Sequence, residues 1–377
     1  MIMRTTVWIS IVTMLLNYGC AKETLNNNHE DDNNEYNENN GNNNNDSEWI
    51  IPKNEVLDGG PGKDGIPSIQ DPKFINVGDA TYLQDDDLVL GFANGEEVRA
   101  YPHRILDWHE IINDDVNEHS VAVIYCPLTG TGTGWSRILE EGKTTFGVSG
   151  LLYNSNVIPY DRKTDSNWSQ ILLKSVNGQL MGRSAHVYHL VETTWKTWKK
   201  AYPSSRVVST NTGFDWNYDN YPYAYYKTDN TLFFPVSNHD DRLHRKERVL
   251  GVIVDEKMIV FRFDSFGNSV SLVNNAFLSK ELVVVGSKNL NLMVAFNREL
   301  ADETILDFEA LENELPAVLI DNEGTRWDIF GRGISGPRKG QQLQHETQMM
   351  GYWFSFAAFY PDVSIYDFHN QGNGFSN

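Results

Sequence analysis

Short apolar runs separated by turn residues dominate the chain from about residue 87 onward. The runs are rich in β-branched and aromatic side chains, which is typical of strands. In the first part of this region they predict strands over Leu88–Phe92, Val98–Tyr101, Val121–Cys126, Thr145–Val148 and Val157–Asp161. In the second part they predict strands over Val249–Val254, Met258–Phe263, Leu282–Val285, Leu292–Phe296 and Ala317–Asp321.

Apolar residues recur at helical spacing in a few short segments. These segments predict helices over His103–Ile112, Glu192–Ala201 and Met349–Phe359. The pattern as a whole predicts a β-rich α+β fold with mainly antiparallel strands and a few short helices. Aromatic residues make up 12% of the chain, which is enough to fill a sizeable core.

Aromatic and glycine positions in the first part recur in the second. Trp195 and Tyr202 match Trp353 and Tyr360 at an offset of 158. Matches at offsets from 159 to 161 are Gly91 with Gly251, Arg137 with Arg298, Asp161 with Asp321, and Trp168 with Trp327. Nearly constant spacing indicates a duplicated unit. We therefore expect two related tandem halves, with repeat 1 at about 87–205 and repeat 2 at about 247–366.

The first 19 residues have the pattern of an export signal peptide. Arg4 precedes an apolar run, from about Val7 to Leu16, that is too short to span a bilayer. Cys20 stands at the cleavage point, where it resembles the lipidated cysteine of a bacterial lipoprotein; an ordinary secretory signal is the alternative. We expect an exported protein of the cell envelope, anchored to a bacterial membrane by this lipid.

The segment that follows Cys20 has the composition of a tether. Residues 24–47 contain 12 Asn and six acidic residues but no Lys or Arg. Such a stretch buries too little apolar surface to offset its ordering entropy, so residues 20–47 are predicted to be a disordered Asn/Asp-rich spacer. Residues 48–377 are predicted to form a single compact unit made of the two repeats.

Charge and cysteine content narrow the partners and the chemistry. The chain carries a net charge of −20, of which residues 48–377 contribute −15. This argues against nucleic acid as a partner, because phosphate binding needs a basic face. Once Cys20 is lipidated, Cys126 is the one remaining thiol, so no disulfide can form within the chain.

From about Gly59 to Tyr366 the chain resembles the prokaryotic domain of unknown function 3179 family. The residues that carry the resemblance are KDGIPSIQDPKF, RAYPHRILDWHEIIND, VIYCPLTGTGTGW, FGVSGLLYNSNVIPYDRKTDSNWSQ, DDRLHRKERVLGV and WFSFAAFYPD. The resemblance implies an exported, often lipid-anchored domain and implies no reaction. Many members look like Cys-Pro-Leu-Cys at the place where this chain has Cys-Pro-Leu-Thr at residues 126–129. Because Thr129 replaces the second cysteine, a dithiol mechanism is excluded here.

Cys126 is the first candidate for chemistry. It ends an apolar strand and precedes a stretch with Gly130, Gly132 and Gly134, which we expect to be a loop whose backbone amides receive an anion or a developing oxyanion. A cysteine in this place could act as a nucleophile. A small buried core residue is the alternative, although an unpaired thiol in an oxidising compartment favours function.

His109 and Glu110 precede the Cys126 strand and have no counterpart in the second repeat. An imidazole beside the thiol would lower the pKa of the thiol, so Cys126, His109 and Glu110 are the predicted catalytic residues. The alternative for His109 is that it caps or packs against the helix of Trp108. The competing hypothesis is a Cu or Zn site made by Cys126, His109, His239 and His244, because thiolate and imidazole suit these metals.

The sequence therefore supports two hypotheses. In the first, an exported envelope protein uses a single-thiol site between the two repeats, for catalysis or for metal binding, on an unidentified small molecule. In the second, a non-catalytic module binds a glycan or a protein through an aromatic surface. The run YDNYPYAYY at residues 218–226 is the candidate for that surface, with buried aromatic packing as its alternative.

Overall fold

The computed structural model of the protein describes residues 48–366 and 375–376, and of Asn275, Phe375 and Ser376 it describes the backbone alone. The predicted signal peptide, Cys20 and the tether lie outside these residues. Three short α-helices occur in the described part: α1 His103–His109, α2 Trp195–Ala201 and α3 Trp353–Phe359. Single turns of 3-10 helix lie at Lys53–Glu55, Val77–Asp79 and Phe263–Ser265.

The rest of the regular structure is strands. Those of the first half, residues 48–246, are β1 Leu57–Asp58, β2 Ile69–Gln70, β3 Phe74–Asn76, β4 Leu88–Asn94, β5 Glu97–Pro102, β6 Ile111–Val116, β7 His119–Cys126, β8 Thr131–Ser136, β9 Ile138–Leu139, β10 Gly142–Lys143, β11 Phe146–Tyr153, β12 Asn156–Asp161, β13 Asn167–Ser169, β14 Lys174–Asn177, β15 Val187–Tyr188, β16 Val191–Thr194 and β17 Arg206–Val208.

The strands of the second half, from residue 247 onward, continue the numbering. They are β18 Arg248–Val254, β19 Lys257–Arg262, β20 Ser271–Phe277, β21 Lys280–Ser287, β22 Leu292–Asn297, β23 Phe308–Ala310, β24 Ala317–Asp321, β25 Arg326–Asp328, β26 Gly333–Ser335, β27 Thr347–Tyr352, β28 Ser364–Tyr366 and β29 Phe375–Ser376. Most neighbouring strands are antiparallel, so the predicted β-rich fold class is confirmed; the parallel pairs are β5 with β17, β19 with β28, and β2 with β6.

The sheets of the two halves have matching strand orders. One sheet of the first half runs β16-β4-β5-β17-β3, and one of the second runs β27-β18-β19-β28-β29. In both sheets, the first strand in this order is followed along the chain by a helix, α2 or α3, that leads to the fourth strand. That fourth strand is parallel to the third. The order β6-β7-β8 matches β20-β21-β22, and β11-β12-β13-β14 matches β23-β24-β25-β26. These arrangements support the predicted duplication, which stays a prediction.

Sequence matches between the repeats correspond to matching contacts. The indole N–H of Trp168 donates to Asp161 Oδ2 at 3.0 Å, and that of Trp327 donates to Asp321 Oδ2 at 2.9 Å. Likewise Nε–H of Arg137 donates to the Thr144 carbonyl, and Nε–H of Arg298 to the Leu306 carbonyl. Buried indole and guanidinium groups need such partners, which explains why these residue pairs recur.

All three α-helices are shorter than the sequence pattern predicts. Helix α1 ends at His109 instead of Ile112, because Glu110 takes a positive φ of 56° and Ile111 begins a strand paired with β7. The predicted helices at 192 and 349 begin three and four residues later, because those residues continue β16 and β27. The hydroxyl of Thr194 accepts the backbone N–H of Thr197 and so caps the start of α2.

The two halves share a core and exchange hydrogen bonds. The largest cluster of buried apolar residues includes Trp198 from the first half and Trp327 and Phe330 from the second. The backbone N–H of Tyr352 donates to the Thr129 carbonyl at 2.8 Å. The loop after Cys126 is therefore held against the second half. Within the described residues, no helix combines the length and the apolar character needed to cross a membrane.

Candidate functional site

Cys126 is the last residue of β7 and pairs with Thr131, the first residue of β8. Residues 127–130 connect the two strands, and the N–H of Gly130 donates to the Cys126 carbonyl at 2.8 Å. Gly130 has a φ of +64°, and a Cβ there would lie 2.6 Å from Arg248 Nη1. Glycine is thus required both for the turn and for the approach of Arg248 from the second half.

Gly132 and Gly134 do not belong to the loop, which corrects the predicted glycine-rich anion loop. Both lie in β8, opposite Tyr125 and Val123. A Cβ on Gly132 would lie 2.5 Å from a Leu90 methyl group. These two glycines therefore make room for side-chain packing. The glycine spacing that predicts a loop in the sequence belongs to a strand that is covered by other side chains.

The Cys126 thiol is buried and protonated at neutral pH. Its residue is 1% exposed, and Sγ donates to the Ser155 carbonyl at 3.7 Å. Burial and, to a smaller extent, the charge of Glu110 raise the pKa of the thiol to about 11, whereas hydrogen bonding from Thr129 opposes the shift. A thiol in this state is a weak nucleophile, because the thiolate is the reactive form.

Beneath the thiol loop lies a network of buried polar side chains. Thr129 Oγ1 lies 2.8 Å from Thr131 Oγ1, and Asn156 Nδ2 donates to Thr129 Oγ1 at 2.9 Å and to Gln170 Oε1 at 2.7 Å. The amide of Gln170 donates in turn to the Ile124 and Thr131 carbonyls. Shared hydrogen bonds of this kind fix the loop in one conformation.

Glu110 is the acidic group that the structure brings close to Cys126. It follows α1 with φ +56° and ψ −33°, a strained conformation for a residue other than glycine, and such strain concentrates at functional sites. Its side chain is buried, and Oε1 accepts the Tyr223 hydroxyl at 2.8 Å. Burial raises the pKa of Glu110 to about 7, the Tyr223 hydrogen bond opposes the rise, and Asp107 adds to it.

The contacts of His109 do not support its predicted role as the group that activates the thiol. Nδ1 lies 2.7 Å from the Pro67 carbonyl, and Nε2 lies 2.7 Å from the Tyr218 hydroxyl. Burial lowers the pKa of His109 to about 4, so the ring is neutral at pH 7. Its ring stacks on Trp216 with the ring centres 4.6 Å apart. His109 therefore joins α1 to the segments that cover it.

His239 and His244 are exposed, whereas Cys126 and His109 are buried. Among residues 48–366, no group of three or more His, Cys, Asp or Glu side chains is arranged to hold a metal ion. The structure thus offers no support for the predicted Cu or Zn site. The segment 238–247, which joins the two halves and contains both histidines, contributes Lys246 instead. Its Nζ donates to the carbonyls of Tyr226, Asp229 and Thr231 at 2.5, 2.6 and 2.9 Å.

A second segment covers the loop that follows Cys126. Residues 218–227, here called the aromatic segment, form a hydrogen bond from Tyr226 Oη to the Leu128 carbonyl at 2.9 Å and an ion pair from Lys227 Nζ to Asp107 Oδ2 at 2.9 Å. Tyr218 and Tyr226 are buried, and Tyr225 is 63% exposed. Tyr221 and Tyr223 are half-buried, so four of the five tyrosines of the run are wholly or partly covered, whereas Asp219, Asn220, Ala224 and Tyr225 are exposed.

Several buried charged residues near Cys126 were not predicted. Arg248 pairs with Glu192, and His103 Nε2 lies 3.2 Å from Glu192 Oε2. Burial opposes ionisation of Glu192, but Arg248 and His103 outweigh it and hold its pKa below the ordinary value. Burial raises the pKa of Asp107, against the opposing effect of Lys227. One signal was available: residues 103, 107 and 110 are spaced to share a helix face.

The fold and the site define a strand-rich protein with a buried thiol beside acidic groups at the junction of its two halves. The chain belongs to the family described as Protein of unknown function (DUF3179), which matches residues 63–363. No curated protein and no solved structure matches it.

Proposed function

We propose that this protein is a lipid-anchored protein of the bacterial cell envelope that carries out thiol chemistry with Cys126 on a small molecule. The observation that carries the proposal is that a buried carboxyl group lies close to a buried thiol, because the backbone N–H of Tyr125, the residue before Cys126, donates to the Glu110 carbonyl at 2.7 Å. Glu110 has a pKa of about 7 and adds its charge to the causes that raise the pKa of Cys126.

In this reaction Cys126 is the nucleophile and Glu110 accepts its proton. Because the thiol is protonated at neutral pH, the proton must leave as the sulfur forms its new bond. A general base works best when its pKa lies near the operating pH, and Glu110 meets that condition while the neutral, fully engaged His109 does not.

Export and anchoring rest on the sequence. The apolar run before Cys20 and the Asn-rich residues that follow it support a lipoprotein signal and a spacer. Labelling cells with a radioactive fatty acid should mark the full chain, and Cys20→Ser should remove the label. A labelled Cys20→Ser chain contradicts the anchoring proposal.

The thiol proposal is tested by the alkylation rate of Cys126 in the folded chain between pH 5 and 10. We expect the rate to rise through an inflection near pH 7, where Glu110 ionises, and then to level off. In Glu110→Gln the inflection should vanish, leaving a rate that rises about tenfold per pH unit as for an isolated thiol.

The matched control is Glu309→Gln, which removes an exposed carboxylate of the second half. It should keep the inflection. A Cys126 that reacts only after denaturation, or a wild-type profile that Glu110→Gln leaves unchanged, contradicts the proposed thiol function.

A second function is favoured by one observation: aromatic side chains near the aromatic segment reach the surface. Phe214 is 38% exposed, Tyr225 63% and Phe233 37%. Such side chains could stack on the sugar rings of an envelope glycan. Pull-down of the full chain on insoluble peptidoglycan, lost in a Phe214→Ala, Tyr225→Ala, Phe233→Ala triple variant but retained in Cys126→Ser, would select this function over the first.

A further inference from the structure

Five buried polar atoms close to the thiol make no hydrogen bond to any described residue. Buried polar groups are nearly always paired in native proteins, so a cluster of unpaired ones calls for a missing partner. The five atoms are Asp107 Oδ1, Tyr221 Oη, His103 Nε2, Glu192 Oε2 and Arg248 Nε. Of these, His103 Nε2 and Glu192 Oε2 lie 3.2 Å from each other, so the three atoms that lack any partner are Asp107 Oδ1, Tyr221 Oη and Arg248 Nε.

The five atoms belong to side chains that surround one spot. Glu192 lies 3.2 Å from His103 and is paired with Arg248. The His103 ring packs on Tyr125 with centres 4.3 Å apart, and Lys227 joins the group by contacting both Asp107 and, at 4.1 Å, the ring of Tyr221. Tyr221 and Asp107 are also close enough to interact electrostatically, as are Tyr221 and Cys126.

The chemistry of the free atoms defines what they bind. Among the three atoms that lack a partner, the carboxylate oxygen Asp107 Oδ1 accepts hydrogen bonds, Arg248 Nε–H donates one, and the Tyr221 hydroxyl can do either. An incoming anion would place its charge against Asp107 and Glu192, whose nearby cations are already paired with them. A neutral group with adjacent donor and acceptor atoms, such as an amide, satisfies both kinds of free atom.

We propose that Asp107, Tyr221, His103, Glu192 and Arg248 form the substrate-binding subsite of the thiol centre and select small neutral molecules that carry a hydrogen-bond donor beside an acceptor. This inference rests on the proposed thiol function. Because these atoms are covered, the substrate enters when residues 223–227 of the aromatic segment move away. Two contacts must break for this movement: the hydrogen bond of Tyr223 to Glu110 and the ion pair of Lys227 with Asp107.

The test compares two alkylating probes of similar size, neutral iodoacetamide and anionic iodoacetate, on Cys126 of the full chain. In each reaction the sulfur displaces iodide and the thiol proton passes to Glu110. The ratio of the two rates in the folded protein, divided by the ratio in the denatured protein, should favour iodoacetamide by at least about tenfold, since a nearby like charge in a buried site has effects of this order.

A second measurement needs no substitution and so no assumption about folding. Acetamide, which resembles the proposed ligand class, should slow alkylation of Cys126 in a saturable manner, whereas acetate at the same concentration should not.

In Glu192→Gln the preference for iodoacetamide should shrink, while in the surface control Glu309→Gln it should stay at the wild-type value.

The outcomes separate the two proposals. If Cys126 reacts in the folded protein with the rate ratio of the denatured protein, or if acetate protects as well as acetamide, the subsite is overturned and the thiol function stands. If Cys126 does not react at all until the chain is denatured, the thiol function fails, and the subsite falls with it.

Discussion

Two hairpins of the molecule have the same register. The first strand of one hairpin ends at Cys126, and the first strand of the other ends at Ser287. Cys126 pairs with Thr131 at the end of β7 and β8, and Ser287 pairs with Leu292 at the end of β21 and β22. In each a four-residue loop follows and ends in a residue with positive φ, Gly130 or Asn291. Both residues at the strand ends are 1% exposed.

The surroundings of the two hairpins differ. Before the Cys126 hairpin come α1 and the buried Glu110, whereas before the Ser287 hairpin come the turn Phe263–Ser265 and the buried apolar Phe266. The hydroxyl of Ser287 donates to the Asn268 carbonyl at 2.8 Å. The backbone frame of the hairpin is thus common to both halves, and a buried acid precedes it in the first half, where the second half has Phe266. The comparison therefore assigns the proposed thiol chemistry to Glu110 at the end of α1 and not to the hairpin.

The largest expected effect tests how closely the two frames are packed. A Cβ on Gly91 would lie 2.0 Å from the Trp198 ring, but one on Gly251 would lie 3.1 Å from the Phe356 ring. Gly91→Ala should therefore lower the free energy of unfolding by about 3 kcal/mol and Gly251→Ala by about 1 kcal/mol. Denaturant titration of both variants measures the difference, and equal losses would contradict the tighter packing of the first half.

The second prediction concerns the pH dependence that Glu110 gives to the first half. Its pKa is about 7 in the folded protein against 4.5 when unfolded, so the folded state binds more protons between these values. Stability from this group is therefore full below pH 4.5 and is lost as the pH rises through 7. The total is about 3 kcal/mol.

Glu110→Gln isolates this contribution. Relative to the wild type, its free energy of unfolding should increase by about 3 kcal/mol between pH 4.5 and 7.5. His109 acts in the opposite sense, because its folded pKa of about 4 lies below the ordinary 6.5, so the variant alone should gain stability as the pH rises from 4 to 6.5. A constant difference between variant and wild type over this range would mean that Glu110 is not buried as described.

A smaller effect checks that the frames are alike. Trp168→Phe and Trp327→Phe each remove one indole N–H from a buried Asp carboxylate. Both should cost about 2 kcal/mol and agree within about 0.5 kcal/mol, since the lost bond and the burial are the same. Costs that differ by more than about 1 kcal/mol would weaken the proposed duplication.

The smallest effect on stability comes from placing a thiol in the second hairpin. Ser287→Cys, made in a Cys126→Ser background, should change the free energy of unfolding by about 1 kcal/mol. Its alkylation should show no inflection near pH 7, because no residue equivalent to Glu110 precedes this hairpin. An inflection there would show that the hairpin itself, and not α1, sets the reactivity.

The sequence predicted most of the frame and little of the site. Each of the ten predicted strands overlaps an observed strand, with Thr145 and Phe263 just outside, because an apolar run bounded by turn residues is a local pattern. The end of α1 was missed because Ile111 and Ile112 continue the helical spacing and only the pairing with β7 stops it. Cys126 and Glu110 were identified because the predicted second repeat has no counterpart for them.

The partners of the site could not be read from the chain in the same way. Tyr223 follows Glu110 by 113 residues and Arg248 follows Glu192 by 56, and each contact depends on how the sheets pack. His109 was assigned to the thiol because its predicted helix precedes the Cys126 strand, but the direction of a side chain at a helix end depends on the segments that pack around it. Its side chain turns to Pro67 and Tyr218 instead.

The bond from Tyr352 to the Thr129 carbonyl and the approach of Arg248 to Gly130 have an evolutionary consequence. A gene shortened to its first half would still encode the cysteine and the acids, yet its product would lack the surface on which the loop rests. Fission of the gene, or transfer of one half to another protein, would then carry a penalty from the first generation, and selection would keep both halves in one reading frame.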